Sequence, residues 1–385
     1  MPRDMTQKLT YAFGIGMALL MGITLILPAI APNTTTTQPA EQIEPTDPPP
    51  PPTLPPPVTD FSGITFDQDY LHPSGLFSIG IPTGWFTGAP TTSVSNATAT
   101  LNNPTISSVI EVSVQEPSPP VTSADELSAL FTTTTLQASW RNFSTWDELS
   151  RRIENDHVLI DYTVQDRNQA RYIAQDSIWF DNDWVYRARV IVPANMSALL
   201  NFMIDAVTTH IKPNTQFEGT ALNWQAFFDT INHHILRYPP TWRLTDTLPG
   251  QPTSFEGDDG TAVRVEATDG AVADAAAASD TVQSFRSGIE ITSVDETSRN
   301  GGDGFSVAYS YTDPDGESYS GLAILLNGED GKLHIADALL PVRGLDLNNP
   351  EDNAAYSDLM GSFNAFSLIT NLNLRSADET ASDEG

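Results

Sequence analysis

Cysteine is absent from the 385 residues. That excludes disulfides, thiolate nucleophiles, iron–sulfur clusters and cysteine-ligated zinc. It also leaves no thiol for the lipid of a bacterial lipoprotein, and the lack of disulfides fits a prokaryotic exported protein. Basic residues are scarce: 18 Lys and Arg stand against 49 Asp and Glu, a formal charge of −31. Phosphate contacts need clustered Lys and Arg, so a nucleic-acid partner is excluded. The same deficit argues against docking of a globular part on anionic headgroups. No His-Glu-x-x-His, Gly-x-Ser-x-Gly or Walker-type loop occurs. Histidines number only six: His72, His157, His210, His233, His234 and His334. His233 and His234 are adjacent, and adjacent strand residues face opposite ways, so they cannot share one metal. The sequence therefore nominates no catalytic residue, no metal ligand and no cofactor-binding residue, and a non-enzyme is expected.

Long apolar runs are missing except at the start. Residues 11–31 carry no charge, and at 1.5 Å per residue they span about 30 Å, enough for a transmembrane anchor. Arg3 and Lys8 precede this run, and the next basic residue is Arg141. The positive-inside rule puts residues 1–10 in the cytoplasm and everything after the anchor outside. Pro32 follows the small-x-small triplet Ala29-Ile-Ala31 and disfavours cleavage, so a retained single-pass anchor in the cell membrane is expected. Residues 32–60 are rich in Pro and Thr and read as a semi-rigid linker. In polyproline II at ~3.1 Å per residue they would reach about 80 Å. Residues 375–385 are acidic and expected to be a disordered tail.

Between linker and tail the chain uses one stretch twice: Phe77-Ser-Ile-Gly-Ile-Pro-Thr-Gly-Trp85 and His234-Ile-Leu-Arg-Tyr-Pro-Pro-Thr-Trp242. Apolar alternation predicts a half-buried strand, and the proline ends it because it cannot donate to a ladder. A turn then delivers Trp85 or Trp242, each expected to plug one end of a core. The alternative is an exposed ligand-stacking tryptophan. Further correspondences bracket these stretches. Val109–Val114 matches Ala262–Ala267, and a capping box at Ser123 and Glu126 opens a helix where the second copy has the alanine-rich segment 271–285. Val158, Ile160, Tyr162 and Val164 alternate as do Phe305, Val307, Tyr309 and Tyr311, each 147 residues later. Strands follow through Tyr172 or Tyr319 and end at Pro193 or Pro341, ahead of closing helices Met196–His210 and Pro350–Phe366. Each copy, residues 61–213 and 217–374, thus reads as three strands, a helix, three strands joined by tight turns, and a helix. Hairpin-joined strands are antiparallel, so the fold class is α+β: two tandem domains, each an antiparallel sheet with packed helices.

A strand ending in Pro-Thr-Gly-Trp or Pro-Pro-Thr-Trp at the head of an α+β unit of this length resembles the Mog1/PsbP-like superfamily. The resemblance covers both copies. It implies a binding or assembly protein without catalysis, and it transfers no site residue to this chain.

Asp313-Pro-Asp-Gly-Glu317 superficially matches the start of a calcium loop, but Ile324 stands where an EF-hand places its bidentate Glu. Hairpin turns select Asp, Asn and Gly for backbone reasons, so this stretch, Asp166-Arg-Asn168, Asp181-Asn-Asp183 and Gly328-Glu-Asp-Gly331 are expected to be turns. Together these features predict a membrane-tethered extracytoplasmic binding or assembly protein. Its expected partners are the membrane, through the N-terminal helix, and an envelope protein or cell-wall component. The alternatives are an exported hydrolase with an unrecognised site and the ectodomain of a sensory system.

Overall fold

A computed structural model describes residues 54–374 except 182, 218, 246 and 247. The expected cytoplasmic start, the anchor 11–31, most of the linker and the tail lie outside the described residues. No helix among the described residues is long and apolar enough to cross a membrane.

In the first copy the strands are β1 (Gln68–Leu71), β2 (Phe77–Ile81), β3 (Phe86–Thr87), β4 (Thr91–Thr92), β5 (Asn96–Asn103) and β6 (Ser108–Gln115). Two short helices follow, α1 (Ala124–Leu130) and α2 (Thr133–Ser139). Then come β7 (Thr145–Glu154), β8 (His157–Gln165), β9 (Arg171–Asp181), β10 (Trp184–Pro193), helix α3 (Ser197–Thr209) and β11 (Ile211–Pro213). The second copy repeats the plan with β12 (Gln225–Phe228), β13 (His234–Tyr238), β14 (Arg243–Leu244), β15 (Thr253–Glu256), β16 (Ala262–Asp269) and α4 (Ala275–Gln283). It ends with β17 (Ile289–Arg299), β18 (Gly302–Thr312), β19 (Ser318–Gly328), β20 (Lys332–Leu340), α5 (Pro350–Asn353), α6 (Ser357–Ala365) and β21 (Ser367–Leu368).

The large sheets run β3-β5-β6-β10-β9-β8-β7, with β4 also paired to β5, and β14-β15-β16-β20-β19-β18-β17. The small sheets run β1-β2-β11 and β12-β13-β21. Matching orders and antiparallel pairing of every named strand make the protein α+β in both halves. Each large sheet buries both faces. In the first half one face packs on α3 and β2, and the other packs on α1 and α2 through Leu127, Leu136 and Trp140.

Several expectations need correction. β2 and β13 are buried at all five positions rather than at alternate ones, because each is the centre of its small sheet and is covered on both sides. β7 and β17 are further strands at the sheet edges: β7 is largely exposed and charged, and β17 alternates only briefly, at Ile289 and Ile291, before turning polar. The helix expected over 271–285 begins only at Ala275, capped by Asp274, because Asn327 bonds both the N–H (2.8 Å) and the C=O (2.9 Å) of Val272. The helix expected from Pro350 to Phe366 is broken in two: Asn353 turns its amide back to the Leu347 carbonyl (3.0 Å). The capping box is half formed. Ser123 accepts from the Glu126 N–H (3.2 Å), but the Glu126 carboxylate takes the Thr122 N–H and hydroxyl instead.

The halves also share apolar packing. Phe217, Leu222, Ile235, Ala365 and Ile369 belong to the same buried cluster as Phe77, Ile79 and Trp85. Gly75, at φ +76°, permits this approach, because a Cβ there would lie 2.7 Å from that of Ala226. Asp69 bridges the halves, accepting from Lys212 Nζ and from the Asn373 N–H, both at 3.0 Å.

Candidate functional site

The repeated stretches end alike. The Trp85 and Trp242 N–H groups each donate to the carbonyl of the proline three residues back, both at 3.0 Å. In the first copy Gly84 sits at φ +81°, as a type II turn requires. Trp85 is 3% exposed and Trp242 9%, so both are core plugs and neither is a stacking platform. A hollow of about 400 Å³ lies outside the Trp85 turn, between Asp67 and Phe86.

Under the helices that cover the second face, each copy buries a charge network, wired oppositely. In the first, Arg189 on β10 holds both oxygens of Asp176 on β9 (2.6 and 2.8 Å), while Ser139 takes a further bond and the Trp140 ring lies 3.8 Å away. Burial works to lower the Arg189 pKa, but the Asp176 carboxylate overrides it and the net shift is upward. Tyr162 donates to the same carboxylate at 3.1 Å. In the second copy the strand register puts Ala323 in place of Asp176 and Asp337 in place of Arg189. Tyr309 therefore donates across β19 to Asp337, whose charge partner, Arg286, comes from the loop after α4 at 2.7 Å. Burial raises the Asp337 carboxyl to about 6 despite Arg286. The facing strand reverses too, with Glu111 opposite Arg189 and Arg264 opposite Asp337. These groups are consumed by one another, which makes them scaffold.

Arg237 is the other buried cation. On the face of β13 where the first copy has Gly80, it donates to the carbonyls of Ala221 (2.9 Å) and Trp224 (3.2 Å) and to the Thr220 hydroxyl. Burial draws its pKa down to about 9. It thereby fixes the segment that joins the two copies.

The histidines scatter. His72 is buried against Ser74 (2.7 Å) and Phe77, and burial lowers it to about 4. His210 caps α3. His233 occupies a turn at φ +58°. His234 and His334, 100 residues apart in sequence, meet with ring centroids 5.8 Å apart. Asp229 stands 3.9 Å from His234 and Asp330 3.3 Å from His334. Burial lowers His234 to about 4. No sequence pattern signals this meeting, which only sheet packing produces. Among the described residues no three His, Asp or Glu converge as metal ligands. The Asp313 carboxylate accepts the N–H groups of Asp315 (3.0 Å) and Glu317 (2.8 Å), as a hairpin turn requires.

The copies also differ between the β7–β8 turn and β11. There the first copy has a cleft of about 530 Å³, lined by Glu154, His157, Trp179, Asp205, Ile211 and Pro213 among others. His157, Trp179 and Tyr186 stack across three strands, with centroids 5.1 and 5.5 Å apart. His157 also meets Ser177 at 3.0 Å. The second copy has Gly304, Leu326 and His334 at these register positions, and its β17–β18 hairpin is longer by two residues on each strand. Its turn reaches β21, where the Leu368 N–H donates to the Asn300 carbonyl at 2.9 Å. The cleft is closed there by the chain's own backbone.

No protein-family model matches the chain, and no curated protein matches it in sequence. Among solved structures it is similar to the cyanobacterial PsbP (CyanoP) of Synechocystis sp. PCC 6803, at 13% identity and TM-score 0.27, over 38% of this chain and 91% of that one. A protein of Bacteroides thetaiotaomicron VPI-5482 is similar at 11% identity and TM-score 0.28, over 46% of this chain and 54% of that one. The immunity protein TplEi of the Pseudomonas aeruginosa type VI secretion system is similar at 13% identity and TM-score 0.23, over 80% of this chain and 98% of that one. These are likenesses of fold alone.

Proposed function

We propose that the chain is a membrane-tethered, extracytoplasmic binding or assembly protein without catalytic activity, built from two Mog1/PsbP-like units. The tether rests on the uncharged run 11–31 and the Pro/Thr-rich linker. The family assignment rests on the paired Pro-x-x-Trp stretches and the order of elements. One observation carries the binding role: of two copies with the same strand order, one keeps open the cleft that the other closes with its own backbone. A scaffold duplicated only for stability has no use for an unsealed face beside an unpaired strand edge.

Cross-linking on intact cells followed by capture of the tagged full-length protein tests the role. Recovery of one defined envelope component supports it. Recovery of none, together with hydrolysis of a model ester or glycoside by the purified protein, overturns it. Protease added to sealed spheroplasts is expected to degrade both units, and their protection would overturn the orientation.

A further inference from the structure

β11 is the outer strand of its sheet. It bonds β2 through Lys212, opposite Ser78, and this pair is flanked by Gly80 N–H to His210 O (3.0 Å) and Asn214 N–H to Leu76 O (2.9 Å). Antiparallel bonding alternates, so the N–H and C=O of Ile211 and the C=O of Pro213 point the other way, into the cleft. In the second copy the equivalent edge is occupied: Leu368, the counterpart of Pro213, donates its N–H to Asn300 and accepts from the Asn300 side chain at 3.4 Å. Two differences keep the first copy open. Its hairpin is shorter, and Pro213 has no N–H to offer.

The vacancy has a charge preference. Asp205 is exposed on its wall, Glu154 stands at its rim in a 2.8 Å pair with Arg152, and the C-terminal end of α3 adds its partial negative charge. No Lys or Arg lines it. The formal charge of −31 draws cations toward the whole molecule. The edge of the stacked Trp179 supplies apolar surface on which the stem of a long basic side chain can lie.

We propose that this cleft docks an extended, Lys- or Arg-bearing segment of a partner protein, which adds main-chain hydrogen bonds along β11 at the edge that Asn300 covers on β21. The proposal rests on the binding role above and specifies its site and its ligand class. Strand addition takes affinity from the backbone and specificity from alternate side chains.

The test uses purified full-length protein and fluorescent pentapeptides followed by anisotropy. Val-Lys-Val-Lys-Val is expected to bind, and Val-Glu-Val-Glu-Val to bind at least about tenfold more weakly. Methylation of alternate peptide amides should abolish binding, and Asp205→Asn, an exposed change, should weaken it about tenfold at low salt. Replacing residues 155–156 by residues 298–303 together with Pro213→Leu should close the cleft and remove binding, with circular dichroism confirming the fold. If that graft does not fold, Trp179→Leu, the second copy's residue, serves in its place and should weaken binding. Equal binding of both peptides, indifference to amide methylation, spermidine binding as tightly as the peptide, or chitotetraose binding in its place would each overturn the proposal. An envelope partner whose capture survives the graft would overturn the site and leave the binding role standing. Tight peptide binding with no captured partner would do the reverse.

Discussion

At the scale of single residues, two buried groups of the second copy set opposing pH dependences. Burial lifts Asp337 from 3.8 to about 6, against the pull of Arg286, Tyr309 and Arg264. The folded state therefore holds this proton more tightly than the unfolded chain. Its contribution to stability falls as pH rises from 3.8 to about 6, by roughly 3 kcal/mol in all. His234 is lowered from 6.5 to about 4 by burial, with Asp229 opposing and His334, Lys332 and His233 assisting. Its contribution is complete above 6.5 and is lost as pH falls toward 4. Between pH 4 and 6 the two offset each other. Asp337→Asn should therefore make stability fall more steeply on acidification, and His234→Leu should make it fall less or rise. Urea midpoints measured from pH 4 to 7 check this. Parallel displacement of the curves, without a change of slope, would refute the assignment.

At the scale of elements, the reversed charge networks explain a glycine. Tyr162 on β8 needs to reach only Asp176 on the adjacent β9, and Ala174 stands opposite it. Tyr309 on β18 reaches past β19 to Asp337 on β20, so its ring lies over Gly321, the counterpart of Ala174. A Cβ at Gly321 would fall 2.1 Å from the ring. Gly321→Ala should cost about 1–3 kcal/mol by overpacking. Ala174→Gly should cost no more than about 1 kcal/mol, the ordinary penalty for glycine in a regular element. Thermal melts of the two variants compare them directly, and equal losses would refute the account.

For the whole molecule, two tandem domains with wholly separate cores would melt one without the other. The shared cluster that joins Trp85 and Phe77 to Phe217, Ile235 and Ile369 argues for one coupled transition. Arg237 supports the coupling, since it ties the connecting segment to β13. Trp85→Ala and Trp242→Ala should each leave a cavity costing roughly 3–5 kcal/mol. Calorimetry is expected to show one endotherm for each variant, shifted down as a unit. A variant that splits the trace, leaving half of the heat at the wild-type temperature, would restore the picture of independent units.

The sequence by itself determined the class and the duplication. Alternating Val158, Ile160, Tyr162 and Val164 and their copies 147 residues on specify strands by local period, and the Asp- and Gly-rich turns specify hairpins, so antiparallel order follows. It also placed Trp85 and Trp242, because a proline that ends a strand fixes what comes next. What it missed was non-local. β7 and β17 lie at sheet edges, where β7 carries no apolar period and β17 only the short one of Ile289 and Ile291. The burial of β2 and β13 on both faces depends on what packs over them. The His234–His334 contact and the cleft of His157, Trp179 and Asp205 join residues far apart in the chain. The open cleft in one copy and its closure in the other turn on a hairpin's length and on whether a proline or a leucine faces its turn. Those details acquire meaning only when the tertiary fold brings the turn and the strand edge together.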